Sequence, residues 1–162
     1  MIDVFVPIRD AETLWTHRVA GLFPARRADY SELTFSRLAA AQAVGLDEYL
    51  AAARERRRLA EAFAAVFEDV DVLVLPTMTA LPPRIDDDRP DQAAWDGIGL
   101  HMVPENLLGV PAVAVRAGFA DGLPVGVQLV GREGTDAIVL AAAQLLYEAT
   151  PELQRRRPDV GR

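Results

Sequence analysis

The chain has 162 residues, 51% of them apolar and 25% charged, and a formal net charge of −7 at neutral pH. A chain of this length and composition can bury a core of its own, and its acidity argues against a nucleic-acid binder that tracks phosphates with a basic surface. Cysteine and lysine are both absent, which removes disulfides, thiolate nucleophiles, cysteine zinc sites, Schiff-base chemistry and any Ser-Lys arrangement within these residues.

No basic segment leads into a long apolar run at the N-terminus. No stretch approaches the roughly 20 apolar residues of a membrane span. The expectation is a cytoplasmic protein with neither membrane nor nucleic acid among its partners.

Residues 4–8 are a short apolar run that Pro7 should end, after which Asp10 can cap a helix to about Ala20 by accepting the free amide hydrogens of its first turn. Leu14, Trp15, Arg18, Val19 and Leu22 would share its broad face. A second helix should run from about Ser31 to Val44 and stop at Gly45. A third, from about Asp47 to Phe67, carries Leu46, Tyr49, Leu50, Ala53, Ala60, Phe63 and Phe67 at three- and four-residue spacing, the pattern of a helix buried along one stripe. Arg54, Arg57, Arg58 and Glu61 then form a solvated face with local ion pairs.

Residues 69–77, DVDVLVLPT, are a continuous Val/Leu run between Asp and Pro, which reads as a strand over residues 70–75 covered on both faces. An exposed loop should follow over residues 78–92, with Pro82, Pro83, Pro90 and the run Asp86, Asp87, Asp88. That run lacks the spaced oxygens and turn glycine of a calcium loop, so no metal is expected there. Residues 95–108 suggest a short irregular helix around Pro104. Beyond it, strands over residues 112–117 and 125–130 flank Asp121-Gly122, a strong hairpin signal because Gly takes the positive φ of tight turns. Thr135 or Asp136 can cap a last helix to about Ala149, with Ile138, Ala141, Ala142, Leu145 and Leu146 inward. Pro151 should end it, leaving residues 152–162 loosely docked. Helices and strands interleave without a repeat, giving an α/β fold, a layered mixed β-sheet flanked by helices. The chain reads as one domain, mainly helical over residues 1–68 and sheet-forming with a C-terminal helix over residues 69–150.

Three pieces in order resemble the C-terminal portion of the amidase signature family of serine hydrolases. They are the arginine-rich helix running into DVDVLVLPT, the segment NLLGVPAVAV, and LPVGVQLVGRE followed by a helix and an arginine-proline tail. The resemblance implies part of an amidase signature fold. It also implies hydrolysis of carboxamide C–N bonds by a Ser, a cis-Ser and a Lys that lie upstream of the region matched here, with no cofactor. This sequence has no Gly-Gly-Ser-Ser segment and no lysine. No catalytic residue is therefore assigned, and the expected partners are a small amide substrate and an N-terminal amidase half or a second copy of the chain. Carried over by position, the resemblance marks Thr77, Met78, His101, Met102 and Asn106 as substrate-side residues. The alternative for Asn106 is a structural one, capping or bridging backbone groups at the turn before Gly109. Met102 stands where many members have threonine, and Gly99 where the tRNA-dependent amidotransferase branch has an acidic residue.

The residues allow two other chemistries. A Ser-His-acid triad would draw on His17 or His101 with Ser31 or Ser36, both serines lying in a helical region without nucleophile-elbow glycines around them. His101 and Glu105, four apart on the irregular helix, would make either a proton-transfer pair or a surface ion pair. A non-catalytic binding or assembly module derived from an amidase is the alternative of a different class.

Overall fold

A computed structural model describes residues 1–82 and 99–156, which fall into two compact units, Met1–Glu61 and Ala62–Arg162. The expected loop residues 83–92, the acidic run Asp86 to Asp88, residues 95–98 and the tail 157–162 lie outside the described residues.

In the first unit, α1 spans Ile2–Val19, α2 Glu32–Ala40 and α3 begins at Leu46, its full extent being Leu46–Val66. The start of α1 differs from the sequence expectation. Val4 and Phe5 both donate to the Met1 carbonyl, so the helix is nucleated before Pro7, and the proline costs it one interior hydrogen bond while being buried itself. Asp10 accordingly caps nothing and pairs with Arg9 at 2.7 Å. Leu14 is buried, but Trp15 and Val19 are 66% and 68% exposed. The core gathers Leu14, Phe23, Leu38 and Ala41, with Tyr30 and Phe35 against it and the Phe23 and Phe35 rings 5.1 Å apart. Ser31 caps α2, its hydroxyl accepting from the Thr34 amide at 3.1 Å. On α3 the expected buried stripe is only partly covered: Leu46 is 72% and Leu50 54% exposed, Tyr49, Ala53, Ala60, Phe63 and Phe67 are half-buried, and Ala52 is the buried residue. Helical periodicity marks a face that can be buried, and it does not by itself supply what buries it. Arg58 pairs with Glu55 on the solvated side.

In the second unit, β1 (Leu73–Pro76), β2 (Ala112–Ala120) and β3 (Leu123–Val130) form a sheet in the order β1-β3-β2. Both pairings are antiparallel, so the expected mix of strand directions is not found among these three strands. Asp121 and Gly122 take φ of 50° and 79°, which closes the hairpin, and both strands run up to the turn. A bulge between Arg116 and Gly118 interrupts the alternation that sequence assigns to Ala117. Nor is β1 covered on both faces: it pairs with β3 along one side, and Val74 is 61% exposed. Pro76 is its last residue, where a missing amide hydrogen costs least.

A 3₁₀ turn, Leu100–Met102, leads into α4, Val103–Leu108, with Pro104 in its first turn and Gly109 closing it at φ 70°. Helix α5, Asp136–Ala149, packs on β2 and β3 through a cluster of Val115, Leu129, Val139 and Ala143, with Ala142 and Leu146 beside it. This stripe is rotated from the expected one, leaving Ile138 and Leu145 45% and 70% exposed. Leucine and alanine surround the helix, so periodicity fixes its face poorly. Burying Val139 contributes about 1.5–3 kcal/mol. Thr135 precedes α5, but its hydroxyl donates back to the Arg132 carbonyl and does not cap. Pro151 starts α6, Pro151–Arg155, where sequence suggests only an end. The expected loose tail is docked as far as Arg156. Arg116 donates to the carbonyls of Leu153 and Arg156 at 3.1 and 2.6 Å, Gln154 donates to the Arg116 carbonyl, and the Arg156 guanidinium lies 3.8 Å from the Phe119 ring centroid. No helix among the described residues is long and apolar enough to cross a membrane.

Candidate functional site

The five positions expected to face substrate fall on two stretches of the second unit. Thr77 follows β1 and donates from its backbone to the Gly126 carbonyl at 3.2 Å. Its hydroxyl is buried without a partner, in the space a side chain at Gly126 would enter: a Cβ there would stand 3.1 Å from Thr77 Oγ1. Met78 is 43% exposed and lines a cleft of about 290 Å³ between residues 78–82 and the turn end of the hairpin, including Pro124 and Gly126.

His101, Met102 and Asn106 lie on the 3₁₀ turn and α4. None of the three lines the Met78 cleft. Asn106 is exposed and donates from Nδ2 to the Met102 carbonyl at 2.8 Å, so its side chain braces the start of the helix and not the turn before Gly109. His101 and Met102 are half-buried.

Two residues outside the five expected substrate-side positions hold this segment: Gln128, which the sequence did not single out, and Glu105, expected only as a partner of His101. Gln128, 4% exposed, is registered in β3 between Leu75 and Ala114. Its Nε2 donates to the His101 carbonyl at 2.7 Å and to Glu105 Oε1 at 3.3 Å. Glu105 is 7% exposed, with Oε2 buried and unpartnered. Burial raises its carboxyl above the ordinary range, opposed by its own backbone amide and by the charge of His101. Because alternate strand residues share a face, Gly126 and Gln128 lie on one side of β3, and Thr77 sits opposite Gly126. The signal for this row was a lone glutamine in an apolar strand and an acid two residues from both Val103 and Leu107.

The triad alternative finds no support in the serines or in His17. Ser31 Oγ accepts from the Thr34 amide, Ser36 Oγ donates to the Leu33 carbonyl, and His17 Nδ1 is hydrogen-bonded to the Tyr30 hydroxyl at 2.7 Å. Glu105 takes its hydrogen bond from Gln128, and the His101 contribution to it is electrostatic. A further cleft in the first unit, about 590 Å³, is lined by Glu12, Trp15 and Tyr49. There the Tyr49 hydroxyl donates to Glu12, whose carboxylate raises its pKa.

The family model described as Amidase matches residues 13–140, and the chain belongs to that family. It is 37% identical over 113 residues to a glutamyl-tRNA(Gln) amidotransferase chain of Moorella thermoacetica, covering 70% of this chain and 23% of that protein. It is 35% identical over 129 residues to a fatty acid amide hydrolase of Medicago truncatula, covering 76% of this chain and 21% of that protein. Among solved structures, a crystal structure of an amidase superposes with a TM-score of 0.78 at 27% identity, covering 91% of this chain and 35% of that one. A chain from a vestigial protein complex bearing on the origins of an s-triazine catabolic enzyme superposes with a TM-score of 0.75 at 26% identity, covering 90% and 33%. The chain thus spans less than a quarter of the length of the curated relatives named.

Proposed function

We propose that these residues are the C-terminal part of an amidase-type hydrolase of carboxamide C–N bonds, supplying scaffold and substrate-side loops while the nucleophile and base come from other residues. Thr77, Met78, His101, Met102 and Asn106 are its substrate-side positions. The observation behind this reading is that a member of the Amidase family has no lysine in 162 residues, whereas the chemistry of the family uses a lysine base. The partners are a small amide and a polypeptide carrying Ser, cis-Ser and Lys, or a second copy of the chain, and the setting is cytoplasmic. Large apolar side chains open to solvent in each unit, Trp15 and Leu46 in one and Val74 and Leu145 in the other, support association. Relatives from an amidotransferase and from an amide hydrolase match at nearly equal identity, so no branch of the family is assigned.

The test is hydrolysis of simple carboxamides by the purified chain, alone and after co-production with an amidase segment bearing the three catalytic residues. Alone it should be inactive, and co-production should restore turnover. Activity of the chain alone, persisting through repeated purification, would sink the proposal. A second reading, a non-catalytic assembly module, draws on the likeness to a chain from a vestigial protein complex. It gains if the two segments associate without turnover.

A further inference from the structure

Gln128 and Glu105 are the buried polar side chains among the described residues. Gln128 sits within β3 with a neighbouring strand on each side, so its backbone is fixed by two ladders. From that anchor its amide group donates to the His101 carbonyl and to the Glu105 carboxyl, two acceptors one helical turn apart on the same segment. That segment is a three-residue 3₁₀ turn followed by a six-residue helix, lengths with little helical stability of their own. Its position depends on tertiary contacts, and Val103 and Leu107 provide the apolar ones.

The polar contact depends on charge. An ionised Glu105 keeps Oε2 buried with no donor, and the bond to Oε1 is long at 3.3 Å. The facing groups are uncharged Gln128 from β3 and the titratable His101 from the 3₁₀ turn. Desolvation raises the carboxyl, so folding penalises the ionised form relative to the unfolded chain.

We propose that Gln128 and Glu105 are positioning residues that latch residues 101–106 onto the sheet, with the latch closed while Glu105 is uncharged and loosened when it ionises. The proposal rests on the reading of this segment as substrate-side, whose regulation it adds. When the latch loosens, His101, Met102 and Asn106 move as one piece, because the Asn106–Met102 bond lies within the segment.

Amide hydrogen exchange over residues 100–109 of the full chain, from pH 5 to 9 and corrected for intrinsic rates, tests this. Wild-type protection should fall as Glu105 ionises, about tenfold for each unit by which burial raises its carboxyl. Glu105→Gln should stay protected across the range. Gln128→Met, which keeps the bulk but cannot donate, should be unprotected throughout, while α5 amides behave as in wild type in all three proteins. A pH-dependent loss that survives in Glu105→Gln, or wild-type protection in Gln128→Met, overturns the latch. If Gln128→Met does not fold, the Glu105→Gln profile decides alone. If exchange behaves as expected but both variants leave turnover of the co-produced enzyme unchanged, the latch stands and the substrate-side reading falls.

Discussion

Gly131 backs directly onto Val139: a Cβ at Gly131 would stand 2.4 Å from Val139 Cγ2 and 2.5 Å from Thr135 Oγ1. The bare glycine lets the chain leave β3 beneath α5, where its amide donates to the Pro111 carbonyl at 3.0 Å. Gly131→Ala should therefore destabilise the protein by about 1–3 kcal/mol through overpacking. Gly45→Ala, which meets nothing within 4 Å, should stay within about 0.5 kcal/mol. Urea denaturation of the two variants side by side checks the contrast.

Stability should depend on pH through Glu105. Its carboxyl is raised in the folded state above the ordinary value of 4.5. Its contribution is therefore full below that value and is lost as pH rises through the folded value. Glu105→Gln should match wild type in acid, exceed it at neutral pH, and flatten the curve between. Urea midpoints from pH 4 to 8 measure this, and a steeper curve in the variant would contradict the sign.

Arg116 should control the C-terminal end. Its guanidinium donates to two carbonyls of residues 153 and 156, and hydrogen bonds from a charged group are the stronger kind. Arg116→Ala should free α6 while leaving the hairpin and α5 intact. Limited trypsin digestion read by mass spectrometry should show cleavage after Arg155 and Arg156 at least about tenfold faster, the equivalent of about 1.4 kcal/mol of lost docking.

Ser31 offers a simpler test. Its hydroxyl is the side-chain cap of α2, so Ser31→Ala should cost about 1 kcal/mol and Ser31→Asp should retain most of that stability. Thermal melting followed by circular dichroism distinguishes them.

The hairpin was legible because Asp121-Gly122 admits few backbones. The buried face of α5 was not, because Ile138, Val139, Leu140 and Leu145 offer almost equivalent stripes and only the sheet chooses among them. The burial of Glu105 was hidden for a different reason. In a helix of six residues Val103, Glu105 and Leu107 can all be enclosed, and no periodic pattern reports enclosure on several sides. At Gln128 alternation suggests one wet face, yet Gln128, Leu129 and Val130 are all buried. The positions proposed to face substrate came from family resemblance, and nothing in their spacing would have selected them.

Strand order carries a consequence for synthesis. The strand that pairs with both others, β3, is the last of the three to leave the ribosome. At about 5–20 residues per second, β1 emerges seconds ahead of β3, its strand neighbour among the described residues, with Val74 61% exposed in the folded chain. The hairpin, in contrast, can close within about 1–10 μs once complete. Until β3 has emerged Leu73–Pro76 lacks that partner, so slowing elongation around residue 100 should lower the yield of soluble protein.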